Sequence, residues 1–158
     1  MRYNTPMRPP VDWLPVLRDA LAQDGRCRLP LRGDSMTPTL PPACEIEIVP
    51  LTDAPAPGAL LVFALGGGLV AHRLARRAGD RFICQGGNRR APDPPLARGQ
   101  VLGEVVGAWV DGRRVWPGRG ERVTALWWLA RHRAYAAARR ARQFARGQAR
   151  ADHKYDHE

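Results

Sequence analysis

Lysine is almost missing from this 158-residue chain: of its 25 basic residues, only Lys154 is not an arginine. No lysine therefore stands ahead of the C-terminal tail to act as a general base. Cysteine is scarce too. Cys27, Cys44 and Cys84 lie far apart, without Cys-x-x-Cys spacing, in apolar strand-like segments. That placement reads as small buried hydrophobes in a reducing cytoplasm, not as a disulfide framework or a zinc site. No metal and no cofactor are expected. Long apolar runs are missing as well, since nothing approaches the roughly 20 consecutive apolar residues that cross a bilayer. Met1 to Pro10 also lack the apolar stretch of a secretory leader. The expectation is a cytoplasmic chain whose membrane contact, if it has one, is peripheral.

What is present suffices for one domain. Apolar residues make up 44% of the chain, enough for a core of ordinary size. The 16 glycines and 15 prolines are more than an average chain carries, which predicts many turns. The net charge is +10, but residues 119–158 hold ten basic and four acidic side chains, so +6 of it is C-terminal. Basicity confined to a tail disfavours a domain that coats nucleic acid. It suits a tail that touches something acidic, whether a lipid surface, a protein partner or RNA.

Three segments follow from the texture. Residues 1–25 comprise a Pro- and Arg-rich arm and a short helix, on which Val11, Leu14, Leu17 and Leu21 recur at helical spacing and Gly25 stands as the C-cap. Residues 26–116 are short apolar runs punctuated by Gly and Pro: Cys27 to Leu31, Cys44 to Val49, Ala59 to Leu65, Leu69 to Leu74, Arg81 to Gln85, Gln100 to Val110 and a last run ending at Trp116. Seven such runs predict a compact, mainly β core. Gly66-Gly67-Gly68, Ala78-Gly79-Asp80 and Asp111-Gly112 read as hairpin turns, the last most strongly. Residues 117–158 are a long basic amphipathic helix with a polar tail. At helical spacing Val123, Leu126, Trp127, Ala130, Ala134, Ala137, Ala138, Ala141, Phe144 and Ala145 share an arc of about 120°, with arginines beside it. A peripheral membrane or protein contact through 120–148 is expected, and removing that helix is expected to leave the core folded.

The segment richest in chemistry is Gly33-Asp34-Ser35-Met36-Thr37-Pro38-Thr39-Leu40. A serine where a strand breaks into a Pro-containing turn can present its hydroxyl, while the backbone N–H groups of Asp34 and Ser35 can converge as an oxyanion hole. The same residues can equally be a turn capped by a side-chain oxygen. A serine nucleophile needs a neighbouring base, and imidazole, with an ordinary pKa near 6.5, can serve. Of the four histidines, only His72 falls in the β region; His132 lies on the basic side of the helix, and His153 and His157 lie in the tail.

The Ser35 segment resembles the Gly-x-Ser-Met-x-Pro-Thr-Leu box of signal peptidase I and its relatives, where the serine is the nucleophile. Pro57 to Phe63 resembles that superfamily's Pro-Gly-Asp-hydrophobic strand opening, with Ala59 in place of Asp. Val70-Ala71-His72-Arg73-Leu74 resembles the box that supplies the base, in the His-Arg form of the archaeal and endoplasmic-reticulum enzymes, not the lysine form of bacterial signal peptidases and LexA-type proteins. Gln85 to Asn88 with Pro92-Asp93-Pro94 is similar to that type's Lys-Gly-Asp-Asn…Asp-Asp segment, and Gly99 to Gly107 resembles its closing strand. The likeness covers roughly residues 26–108.

It implies a compact coiled β-sheet or partly open barrel of the signal peptidase/LexA type, and a serine endopeptidase with Ser35 as nucleophile, His72 as base and Asp93 as the orienting acid. Asp34 and Ser35 would supply oxyanion donors. Met36, Leu69, Val70 and Ala71 would bind a peptide or protein substrate with small side chains next to the cut. Gly87 stands where the first acid of the motif is usual, which leaves Asp93 alone, and Gly33 stands where many of these enzymes have an assisting serine. Two other functions compete. One is a peptidase-like module that binds peptide with weak or no catalysis. The other is a LexA-like self-cleaving regulator, disfavoured because 25 leading residues cannot hold a helix-turn-helix domain.

Overall fold

Alternation of inward apolar and outward polar residues builds most of the molecule. A computed structural model describes residues 13–155, with side chains described over 14–144. The arm at 1–10, Val11, the side chains of Ala145 and His153, and His157 lie outside the described residues. Helix α1 (Trp13–Asp24) is followed by strands β1 (Cys27–Arg32), β2 (Ala43–Val49), β3 (Leu60–Leu65), β4 (Gly68–Ala78), β5 (Arg81–Gln85), β6 (Leu96–Ala97), β7 (Val101–Val110) and β8 (Arg113–Trp116). Helix α2 (Glu121–Tyr155) closes the chain. All pairings are antiparallel, in the order β1-β2-β7-β3-β4-β5-β6 with β8 on β7. The sheet does not close on itself.

β2 shows why the strands form. Cys44, Ile46 and Ile48 point inward while Ala43 and Glu45 are exposed, the two-residue period of a half-buried strand. These side chains join Leu17 and Leu21 of α1, Leu60, Val62 and Leu102 in one apolar cluster. A second cluster on the opposite face of β3 and β4 contains Leu61, Phe63, Leu74, Phe82, Cys84 and Val101. All three cysteines are free thiols, and burial, with a smaller contribution from Asp93, pushes Cys84 up to about 12. The β7–β8 hairpin turns at Asp111 (φ 49°) and Gly112 (φ 73°), the left-handed pair that a two-residue turn requires.

The structure adds an eighth strand to the seven expected. β6 is two residues long and pairs only with Arg81 and Phe82, and the prolines at 94 and 95 conceal it in the sequence. β4 is longer than its apolar run, because it bulges at Ala75 and continues through the exposed Arg76 and Arg77.

The docking of α2 is the larger departure. Trp128 and Leu129, 5% and 8% exposed, pack on Ala75 of β4. Gly58 lies under the same helix, where an added Cβ would stand 3.4 Å from the Ala125 Cβ and 3.5 Å from Leu129. The face that meets the core is therefore Ala125, Trp128, Leu129 and His132. The apolar arc read from the sequence points away from it: Val123, Leu126, Trp127 and Phe144 are all more than 60% exposed. His132 does not lie out on the basic side. It is half-buried and stacked on Trp128 at 5.3 Å, and burial, then Arg76 and Arg139, lower its pKa.

Candidate active site

Three separate segments deliver three side chains to one point. Ser35 sits in the β1–β2 loop, which Gly33 N–H closes on the Pro42 carbonyl (2.8 Å) and Thr37 N–H on the Asp34 carbonyl (3.0 Å). Met36 and Leu40, 2% and 1% exposed, pin the loop to the first apolar cluster. His72 lies on β4 opposite Leu61, with its ring edge-to-face against Phe63 at 5.8 Å. Asp93 lies in the β5–β6 loop and donates its own N–H to the Cys84 carbonyl at 2.8 Å.

The Ser35 hydroxyl is 3.0 Å from His72 Nε2, and His72 Nδ1 is 2.7 Å from Asp93 Oδ2. A carboxylate only accepts, so Nδ1 carries the proton and Nε2 is free to accept from the serine. His72 is 3% exposed and the Asp93 side chain 10%, so water does not compete strongly for the imidazole. Within this arrangement the serine proton can pass to Nε2 while the carboxylate holds the ring.

Gly87 does not leave the imidazole without an acid, because Asp93 reaches it directly. Gly87 and Gly86 instead let the loop pass close to the serine. A Cβ at Gly86 would lie 2.7 Å from the Ser35 carbonyl oxygen and 3.0 Å from His72 Nε2, closer than a side chain permits. One residue on, Asn88 N–H donates to the Ser35 carbonyl at 2.9 Å and ties the two loops together.

Arg73, next to His72, is the buried charge beside the site that the residue types alone did not single out. It is fully buried, donates to the Gly58 carbonyl (2.9 Å) and Thr39 Oγ1 (3.2 Å), and pairs with Glu121 of α2 at 2.7 Å. Its partner lies on another element far along the chain, so no local pattern marks the pair. Arg131 of α2 also donates to the Gly87 carbonyl at 3.3 Å. The C-terminal helix thus holds both the strand that carries His72 and the glycine loop.

The expected substrate residues divide. Met36 is a correction: its side chain is in the core and offers no surface to a ligand. Ala71 is buried too, while Leu69 and Val70 are half-buried, each against a different cluster. Among the described residues, Leu69 to Ala71 pair with β3 on one side only, since β5 joins β4 from Arg73 onward. Among the same residues β1 pairs only with β2, and the curl of the sheet brings β1 near β4. The Asp34 and Ser35 N–H groups donate to no backbone carbonyl among the described residues.

A cavity of about 460 Å³ on β1, β2 and β7 is lined by Arg28, Arg32, Glu45 and Trp109 among others, but not by Ser35, His72 or Asp93. Among the described residues no group of His, Cys, Asp and Glu could hold a metal ion, and no helix is long and apolar enough to cross a membrane. No protein-family model matches the chain, and no curated protein matches it.

Proposed function

We propose that this chain is a serine endopeptidase that cuts an extended peptide segment by a Ser35-His72-Asp93 mechanism. The observation that carries the reading is His72 standing between the Ser35 hydroxyl at 3.0 Å and the Asp93 carboxylate at 2.7 Å. Ser35 Oγ attacks the scissile carbonyl carbon as its proton moves to His72 Nε2. The carbonyl π electrons move to oxygen, and the open N–H groups of Asp34 and Ser35 are the donors available to that oxyanion. Collapse of the intermediate breaks the C–N bond, and the imidazolium returns the proton to the leaving amine. Water then repeats the sequence on the acyl-serine.

Substrate lies as an added strand between the free edge of β1 and Leu69 to Ala71, both of which lead into the reacting groups. The three free thiols suit a reducing, cytoplasmic setting. The binding-module reading rested on the missing first acid, and the direct Asp93 contact weakens that reason.

A fluorophosphonate probe tests the proposal, because labelling requires an activated serine. The native chain is expected to label at Ser35, and Ser35→Ala not at all. Asp93→Asn is expected to react on the order of 10⁴ times more slowly, through loss of the correct imidazole tautomer. Absence of labelling in the folded native chain would refute the mechanism.

A further inference from the structure

Helix α2 has two apolar faces, and only one of them is used. Trp128 and Leu129 are buried against Ala75, whereas Val123, Leu126, Trp127 and Phe144 are 72%, 66%, 61% and 70% exposed on the opposite side. Between them on that outer face lie Ala130, Ala134, Ala137 and Ala141, all exposed. At 3.6 residues per turn these side chains form one stripe along the helix. Arginines border the stripe on both sides at about 90° from its centre: Arg122, Arg133 and Arg140 along one edge, Arg131 and Arg142 along the other. Residues 122–144 contain six arginines and no acidic residue.

A stripe of this kind is unsuited to the interior of its own domain, because the core is already covered on the other face. It is also unsuited to remain in water as a continuous exposed patch with Trp127 and Phe144 at its ends. An apolar stripe edged by cations along both sides matches the layered chemistry of a bilayer interface. The stripe enters the acyl boundary, while Arg122, Arg133, Arg140 and Arg142, long enough to bend outward, meet headgroup phosphates. A protein partner would need an acidic rim on both sides of an apolar groove, which an anionic lipid surface presents at every orientation.

We infer that α2 lies in the plane of an anionic membrane surface on its Val123–Leu126–Trp127–Phe144 face, and so fixes the domain against that surface. This proposal does not depend on the peptidase reading. It adds to it a geometry, since Arg131 on the stripe's edge, 5.0 Å from the Trp127 ring, also donates to Gly87 beside the Ser35-His72 pair. The membrane would then lie on the side of α2 away from the core, with the glycine loop held from the helix's other flank.

Co-sedimentation of the full chain with phosphatidylcholine vesicles, with and without phosphatidylglycerol, at low and high salt, tests the assignment. Binding is expected only to the phosphatidylglycerol vesicles and is expected to weaken strongly with salt. Replacing Arg133→Gln and Arg140→Gln together is expected to weaken it roughly 25-fold, about fivefold for each arginine. Leu126→Glu is expected to abolish it. Leu126 is exposed, so that variant keeps its fold, and an unchanged melting temperature would show it. No binding at low salt overturns the proposal, as does equal binding by Leu126→Glu. Self-association of the native chain that Leu126→Glu removes, without vesicle binding, would assign the stripe to a second copy and overturn it as well.

Discussion

A single methyl group at Gly86 would have nowhere to go. Its Cβ would stand 2.7 Å from a backbone oxygen of Ser35, an atom that cannot swing aside as a side-chain tip can, and 3.0 Å from the imidazole nitrogen proposed to accept the serine proton. At Gly87 the nearest atoms would be 3.7 Å away, an ordinary contact. Gly86→Ala is therefore expected to lower kcat by on the order of 100-fold through displacement of the reacting pair, while Gly87→Ala stays within a few-fold of the native chain. Steady-state rates of the two variants on one peptide check this, and equal rates would show that the loop gives way freely.

His132 supplies a second prediction at this scale. Its folded-state pKa is lowered from the ordinary 6.5 by burial and by Arg76 and Arg139, so the unfolded chain binds the proton more tightly. Stability is then full above about pH 6.5 and declines as pH falls from there toward the lower folded value. Melting temperature followed downward from pH 8 should fall in that window, and His132→Gln should flatten the fall. An unchanged slope in the variant would locate the titration elsewhere.

At the scale of elements, α2 is part of the core's electrostatics as well as its packing. Arg73 is fully buried, and among the described residues its one carboxylate partner is Glu121, in the first turn of α2. Removing one member of a buried pair leaves the other charged and unsatisfied, at a cost of about 3 kcal/mol or more. Glu121→Gln should lower the unfolding free energy by about that amount in a denaturant titration. A loss under about 0.5 kcal/mol would mean that Arg73 is served by Gly58 and Thr39 alone. A chain ended at Gly118 loses the counter-charge together with Trp128 and Leu129. Truncation is therefore expected to destabilise more than Glu121→Gln does, and whether the core still folds unaided is read from the same denaturant titration.

For the whole molecule, the open sheet matters most. Among the described residues β1 and the Leu69 to Ala71 stretch of β4 each keep one unpaired edge, and under the proposed function a substrate strand placed between them would satisfy main-chain groups on both sides. Peptides N-methylated at single backbone positions should therefore bind more weakly wherever the lost N–H pairs with a strand edge. Each such loss should cost about 1 kcal/mol, or roughly fivefold in KM. A KM profile flat across all N-methylated positions would rule out strand addition and require recognition through side chains alone.

Local order was legible in the sequence because its causes are local. Alternation and Gly/Pro punctuation placed seven strands, and Asp111-Gly112 placed a hairpin, since turn dihedrals depend on neighbouring residues. Ser35, His72 and Asp93 could be nominated from short motifs, but their meeting depends on β4 lying across from the β1–β2 loop and on the β5–β6 loop folding back. Those are long-range facts. β6 escaped notice because two residues between prolines and a glycine carry no period. The choice between the two faces of α2 was decided by the sheet: Ala75 and Gly58 leave a shallow seat that Trp128 and Leu129 fill, and no helical periodicity can say which of two apolar faces will find its complement. The Arg73–Glu121 pair was invisible for the same reason, since a buried charge is recognised only once the surface that buries it has formed.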